Sequence, residues 1–187
     1  MSTKIKEYLN IQNWDKIKII ASVNAKTLEL IILSSLALIT PIFLKHPQIL
    51  VGVIINAILI KGALSLKKYQ LLPLIIMPSV GVVLGGYLFG GLTKFVFFIM
   101  PFIWLGNTIL IYLFKKRTNK NYIFTLLLAS FSKMTFLFLS ALILYLLNII
   151  PKPLLMAMGY MQFITAILGG TLVLTELKIE KWFKPIK

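Results

Sequence analysis

The sequence predicts an all-α integral membrane protein with six transmembrane helices and both termini in the cytoplasm. Of its 187 residues, 59% are hydrophobic and only 13% are charged, whereas a globular chain is about half apolar and a quarter charged. The apolar residues form six stretches, and a helix needs about 20 such residues to cross the hydrocarbon core. Basic residues concentrate in alternate connecting segments. Together these features predict a single membrane domain over residues 1–187, with no separate soluble domain.

The first predicted span covers residues 28–44 and follows a basic segment, residues 1–26. Its start is open, because the isoleucines at 17, 19 and 20 extend the apolar pattern backward. The alternative is an interfacial amphipathic helix before the span, with Trp14 as its anchor.

Clear stop signals follow the later spans. The other five predicted spans are residues 49–66, 71–89, 95–114, 122–150 and 154–177. Gly90 follows the third span, a basic cluster beginning at Lys115 follows the fourth, Pro151 follows the fifth, and lysines follow the sixth. Glycine, proline and a change to charged residues are typical of the end of a helix.

The basic residues predict the orientation. Of 20 Lys and Arg residues, 16 lie on one side of the six spans, and only Lys45, Lys94 and Lys152 lie in the loops of the other side. Because cytoplasmic loops are enriched in Lys and Arg, both termini are expected on the cytoplasmic side of the cell membrane. The net charge of +15 then reflects orientation in the lipid bilayer, and a nucleic-acid partner is not expected.

Lys133 is the basic residue that this rule does not explain. At 1.5 Å per residue it lies about 18 Å from the inner end of the fifth span, while the acidic residues are expected at or beyond inner helix ends. It is therefore neutral because of burial, bonded to neutral groups, extended along a cavity, or available to an anionic ligand. We expect a ligand-binding or coupling role.

Further polar side chains fall at similar depth. Asn107 lies in the fourth span, and Gln162 and Thr165 share one face of the sixth. With Lys133 they would form one substrate-binding layer, the alternative being hydrogen bonds between helices. Asn56 in the second span is expected only to support packing.

Trp104 and Tyr160 lie near the predicted outer ends of their spans. Aromatic residues there form an interfacial belt, and a mainly apolar binding pocket uses the same residue types. We include both as candidate substrate-binding residues.

Glycines in two spans predict close packing of helices. Gly81, Gly85, Gly86 and Gly90 belong to the third span or its end, and Gly169 belongs to the sixth. Such residues let the backbones of neighbouring helices approach each other in membranes.

Chemistry within the membrane is not expected. There is no cysteine, and the spans carry no paired carboxylates, histidine cluster or activated nucleophile of the kind that enzymes use. We therefore expect no enzyme activity, no cofactor and no metal. The phosphate-binding pattern GxxxxGK[ST] is also missing, so any ATP-driven role would need partners.

Three segments carry a family resemblance. They are residues 101–107 (Pro-Phe-Ile-Trp-Leu-Gly-Asn), residues 129–133 (Ala-Ser-Phe-Ser-Lys) and residues 161–170 (Met-Gln-Phe-Ile-Thr-Ala-Ile-Leu-Gly-Gly). With the basic N-terminus and six spans, this pattern resembles the substrate-binding S-components of energy-coupling-factor (ECF) transporters, over roughly residues 49–177.

The resemblance implies a function and partners. An S-component binds a vitamin-like or other trace nutrient near its outer face and delivers it inward with a transmembrane coupling subunit and two cytosolic ATPases. It also implies an Ala-x-x-x-Ala face on the first helix for the coupling subunit. The sequence departs from this pattern, so either Ala21 and Ala25, or Ser34 and Ala37, are expected to contact that partner.

A second hypothesis is an accessory or assembly subunit of another membrane complex. In that case the polar layer would serve contacts between helices. Co-purification with an ATPase pair would distinguish the first hypothesis from the second.

Overall fold

The computed structural model describes residues 25–44, 46–86, 88–117 and 120–183. Of these residues 89% are helical and none lies in a strand. The helices are α1 (Ala25–Phe43), α2 (Gln48–Ser65), α3 (Leu72–Gly85), α4 (Val96–Lys116), α5 (Tyr122–Leu146), α6 (Lys152–Met158) and α7 (Tyr160–Phe183). Short 3₁₀ helices, Lys68–Leu71 and Gly90–Phe95, lead into α3 and α4.

The predicted six-span α-helical fold is confirmed. Six segments are long and apolar enough to cross a membrane, with α6 and α7 together forming the sixth, Lys152–Phe183. The observed spans begin and end within a few residues of the predicted ones, except that the last continues beyond 177 to Phe183. Which side each end faces stays a prediction, and the possible interfacial helix around Trp14 lies outside the described residues.

The fifth span is shorter in the structure than predicted. Helix α5 ends at Leu146 and not at residue 150, because the chain turns before Pro151. Asn121 caps the start of α5, where its side chain accepts a hydrogen bond of 3.2 Å from the backbone N–H of Phe124. At the other end, Asn148 adopts the left-handed conformation with φ 58°. Its N–H donates to the carbonyl oxygen of Tyr145 at 2.9 Å. Asparagine tolerates this conformation and commonly ends a helix.

Lysines from two helices cap the carboxyl end of α2. The ammonium group of Lys26 donates to the carbonyl oxygen of Ser65 at 2.5 Å, and that of Lys115 donates to the carbonyl oxygen of Leu66. A helix leaves its last carbonyl groups without partners and has a negative dipole end there. The basic residues at this end of the bundle thus also stabilise a helix terminus.

Glycines bring helices close together, as predicted. A Cβ atom on Gly85 would lie 2.9 Å from the backbone of Ile42 in α1, and one on Gly169 would lie 2.6 Å from the carbonyl oxygen of Val53 in α2. Gly86 and Gly90 have a different role from the one predicted. Their φ angles of 68° and 54° form the turn after α3, which glycine allows without steric cost.

Two hydrophobic clusters fill the bundle. The larger one contains residues of α1, α2, α3, α4, α5 and α7, and it includes Leu59, Leu110 and Phe114. The smaller one includes Ile99, Leu137 and other residues of α4, α5 and α6. The larger cluster also contains Val51 and Leu88, which line a cavity between the helices.

Candidate functional site

A cavity of about 90 Å³ lies between the helices at mid-depth. Its wall is mainly apolar and includes Ile49, Val82, Leu88, Phe89 and Met158. The polar side chains that line it are Gln48, Asn56, Ser79, Asn107, Lys133, Gln162 and Thr165. Among the described residues that line the cavity, Lys133 is the ionisable one. The lining residues come from all six spans.

The cavity extends toward the end of the bundle that carries few basic residues. Gln48 at the start of α2 and Phe89 in the turn after α3 line its shallow part. Lys133, in the middle of α5, lies at its deep part. This end of the bundle is the one that the charge distribution predicts to face outward.

A break between α6 and α7 shapes the wall. Gly159 separates the two helices with φ −91° and ψ −120°, and its N–H donates to the carbonyl oxygen of Leu155 at 3.0 Å. Met158 before the break and Met161 after it both line the cavity. The sequence predicts one continuous span here, and the signal for a break is a glycine close to Pro151 and Pro153.

Lys133 is buried and bonded to a neutral partner. Its side chain is 2% exposed, and Nζ donates a hydrogen bond of 2.7 Å to Oδ1 of Asn56. The Nδ2 group of Asn56 in turn donates to the carbonyl oxygen of Gly52 at 2.9 Å and to Oγ1 of Thr165 at 3.1 Å. The network therefore joins α5, α2 and α7.

The expectation that Asn56 stands apart from the polar layer is wrong, because its amide bonds to both Lys133 and Thr165. Its amide is 1% exposed and holds the ammonium group of Lys133. Depth along the helix could have identified it: Asn56 lies eight residues after Gln48, or about 12 Å, which is comparable to the depth of Asn107. An isolated amide in an apolar helix does not indicate which residue it will form a hydrogen bond with.

Lys133 keeps part of its hydrogen-bonding capacity. The Nζ group of a lysine has two N–H donors when neutral and three when charged, and within the described residues Asn56 is its hydrogen-bond partner. Within the described ranges no carboxylate forms an ion pair with Lys133. Glu176 forms an ion pair with Lys61 near the basic end of the bundle.

The other cavity amides differ in how far they are satisfied. Asn107 donates through Nδ2 to the carbonyl oxygen of Ile75 at 3.2 Å, which connects α4 to α3. The side-chain amides of Gln48 and Gln162 make no hydrogen bond within the described part of the chain. Gln162 and Lys133 thus both present unused polar groups to one cavity.

The structure brings four of the six predicted substrate-binding residues together. Asn107, Lys133, Gln162 and Thr165 line the cavity; Trp104 and Tyr160 do not. The indole Nε1 of Trp104 donates to Oγ of Ser79 at 2.7 Å, so it lies behind the wall that Ser79 forms.

Tyr160 is 54% exposed and lies on the outer surface of α7. Successive residues of a helix point about 100° apart. As a result, Met161 and Gln162 face the cavity whereas Tyr160 does not. Tyr160, a predicted substrate-binding residue, therefore does not line this cavity.

The predicted partner-binding residues are placed unequally. Ala37 is 0% exposed and packs inside the chain, so it cannot contribute to an exposed docking face. Ser34 is half-buried and its hydroxyl group is fully enclosed, while Ala25 is exposed. Ala21 lies outside the described residues.

The cavity offers hydrogen-bond donors, amide acceptors and apolar surface. Its described lining residues include no carboxylate, histidine or thiol, and no three His, Cys, Asp or Glu residues within the described ranges lie together in a way that could hold a metal ion. Such an arrangement can bind and orient a small molecule. Comparison with protein-family models, with curated proteins and with solved structures finds no match to this chain.

Proposed function

We propose that this chain is the substrate-binding subunit of an ECF-type ABC importer. It captures a small, vitamin-like or other trace nutrient at the outer face of the cell membrane. A transmembrane coupling subunit and two cytosolic ATPases then drive delivery to the inside. The chain itself carries out no chemical step.

The observation that carries this proposal is the cavity that ends at Lys133. Burying a lysine in a membrane span costs several kcal/mol, and such residues commonly mark ligand or ion pathways. A lysine used only for packing needs no adjoining empty space. Here the side chain lies in the wall of a cavity that leads to the less basic end of the bundle.

The resemblance adds independent support. The three segments that carry it contribute Asn107, Lys133 and Gln162, from α4, α5 and α7. Helix packing brings these residues to one cavity, although they are far apart in the sequence. A largely apolar pocket with a few converging polar groups is the usual form of a small-molecule site.

The alternative, an accessory or assembly subunit of another membrane complex, is favoured by the state of Asn56. Its amide donates twice and accepts once within the bundle, as expected for a residue that fixes helix packing. In this case the Lys133–Asn56–Thr165 network would serve structure, and the cavity would have no ligand.

Affinity purification from native membranes distinguishes the two functions. The chain, tagged at its C-terminus and expressed at its natural level, is extracted in mild detergent, and its partners are identified by mass spectrometry. The proposal expects one membrane partner and a pair of ATPases. Stable association with a complex that contains no ATPase would contradict it and support the alternative.

A further inference from the structure

We propose that the ligand of this cavity is a monocarboxylate with a compact apolar body, whose carboxylate binds to Nζ of Lys133. The inference rests on the proposed function, because it names the class of substrate for the same cavity. It is carried by the charges, the unused hydrogen-bond donors and the apolar wall around Lys133.

The charged residues that line the cavity determine whether a negative or a positive ligand is favoured. Among the described residues that line the cavity, Lys133 is the ionisable one and none is Asp or Glu. In a medium of low dielectric constant a charge without a counter-charge is costly, so a bound anion is favoured and a cation is disfavoured. Asn56 is a neutral acceptor, so a positive charge on Lys133 has no counter-charge among the described lining residues until an anion binds.

The amount of charge favours a carboxylate over a phosphate. A phosphate monoester carries about −1.5 to −2 charges and three acceptor oxygens at neutral pH, and its burial would need several cations or donors. Among the described residues of its lining, this cavity provides one lysine together with neutral amides and hydroxyl groups. A carboxylate carries a single charge, which one lysine neutralises.

The two oxygens of a carboxylate also match the unused donors. Lys133 has N–H donors beyond the one that Asn56 accepts. The amide of Gln162, which lines the same cavity, has no partner within the described residues and can donate to the second oxygen. Asn56 and Thr165 are positioning residues, since their own hydrogen bonds are already made within the bundle.

The rest of the wall sets the body of the ligand. Val82, Leu88, Phe89, Ile103 and Met158 present hydrocarbon and thioether surface. The cavity of about 90 Å³ is small beside the ~300–1,000 Å³ of sites that enclose drug-sized molecules. A short chain or a single ring is therefore expected next to the carboxylate, with any larger part extending through the mouth.

Matched pairs of acids and amides test this inference on the purified full-length chain in detergent. The probes are hexanoate with hexanamide and benzoate with benzamide, which differ in charge but little in shape. Binding is measured by fluorescence of Trp104, whose indole bonds to the cavity residue Ser79. Substituting Trp14→Phe and Trp182→Phe removes the other two of the three tryptophans.

The charged variant and its control are chosen to keep the fold. Lys133→Gln removes the charge while retaining a donor for Asn56. Lys152→Met removes a charge from the exposed start of α6, at the same end of the bundle but outside the cavity. Unfolding curves of both variants identify any loss of folded protein.

In the parent chain the acids should bind about 10- to 100-fold more tightly than their amides, the range expected for a hydrogen bond to a charged group. Lys133→Gln should abolish this preference, and Lys152→Met should preserve it. Equal affinity for acid and amide, a preference that survives Lys133→Gln, or binding of neither series overturns the inference. The proposed function is decided separately by the ATPase pair in affinity purification, so the two can fail independently.

Discussion

Lys133 donates a hydrogen bond of 2.7 Å to Asn56 although 77 positions separate them in the sequence. Both side chains are at most 2% exposed, and both line the cavity. The bond ties α5 to α2, and the contact of Asn56 with Thr165 extends the connection to α7. The amide of Asn56 in α2 therefore positions Lys133 and connects α2 to both α5 and α7.

The Lys133–Asn56 bond predicts an energetic coupling between the two residues. Lys133→Met leaves Oδ1 of Asn56 buried without a partner, and Asn56→Leu leaves the ammonium group without one, each costing about 1–3 kcal/mol or more. In the double variant neither unsatisfied group remains. Unfolding of the four proteins in detergent should give a coupling free energy of about 1–3 kcal/mol.

The pair Tyr122 and Lys133 serves as the control for this double-mutant cycle. The hydroxyl group of Tyr122 donates to the carbonyl oxygen of Gly170 at 2.7 Å, and Tyr122 lies about 16 Å along α5 from Lys133. Tyr122→Phe and Lys133→Met should be additive within about 0.5 kcal/mol. Additivity of the Lys133 and Asn56 variants would contradict the observed bond.

Close packing of α7 on α2 predicts that Gly169 tolerates no side chain. A Cβ atom there would lie 2.6 Å from the carbonyl oxygen of Val53 and 2.8 Å from the N atom of Ala57, and backbone cannot move aside as a side chain can. Gly169→Ala should destabilise the protein by about 1–3 kcal/mol. Gly91→Ala is the matched control, because nothing lies within 4 Å of a Cβ atom at Gly91; it should change stability by less than about 0.5 kcal/mol. Equal effects of the two variants would contradict the close approach.

The charge distribution predicts that Lys120 faces the cytoplasm and Lys152 faces outward. The chain has no cysteine, so single variants Lys120→Cys and Lys152→Cys each carry one thiol. Both positions are exposed. A membrane-impermeant maleimide applied to intact cells should label Lys152→Cys and spare Lys120→Cys until the membrane is opened. The reverse pattern would show that the cavity opens toward the cytoplasm and would contradict uptake from outside.

The sequence predicted the six-span fold well because apolar length and the ends of spans are local properties. It also predicted that Asn107, Lys133, Gln162 and Thr165 lie at one depth, since the rise of a helix is constant. Their convergence at one cavity was an expectation that depth alone does not guarantee.

Contacts and helix faces were harder to predict. The role of Asn56 depends on the rotation of α2 relative to α5, which the apolar surroundings of Asn56 do not specify. Tyr160 and Gln162 lie two positions apart in α7 but on different faces of that helix. Ala37 is buried because α1 packs against the bundle. The break at Gly159 was hard to predict because a glycine within an apolar span is also compatible with a continuous membrane helix.

Native mass spectrometry of the purified chain tests most directly the central claim, that the cavity at Lys133 binds a ligand. The measurement compares the parent chain with Lys133→Gln and with the exterior control Lys152→Met, each purified from cells grown in rich medium and released gently from detergent. The parent chain and Lys152→Met should retain one small molecule of the same mass, and Lys133→Gln should lose it. Retention of that molecule by Lys133→Gln, or its absence from the folded parent chain, would contradict the claim.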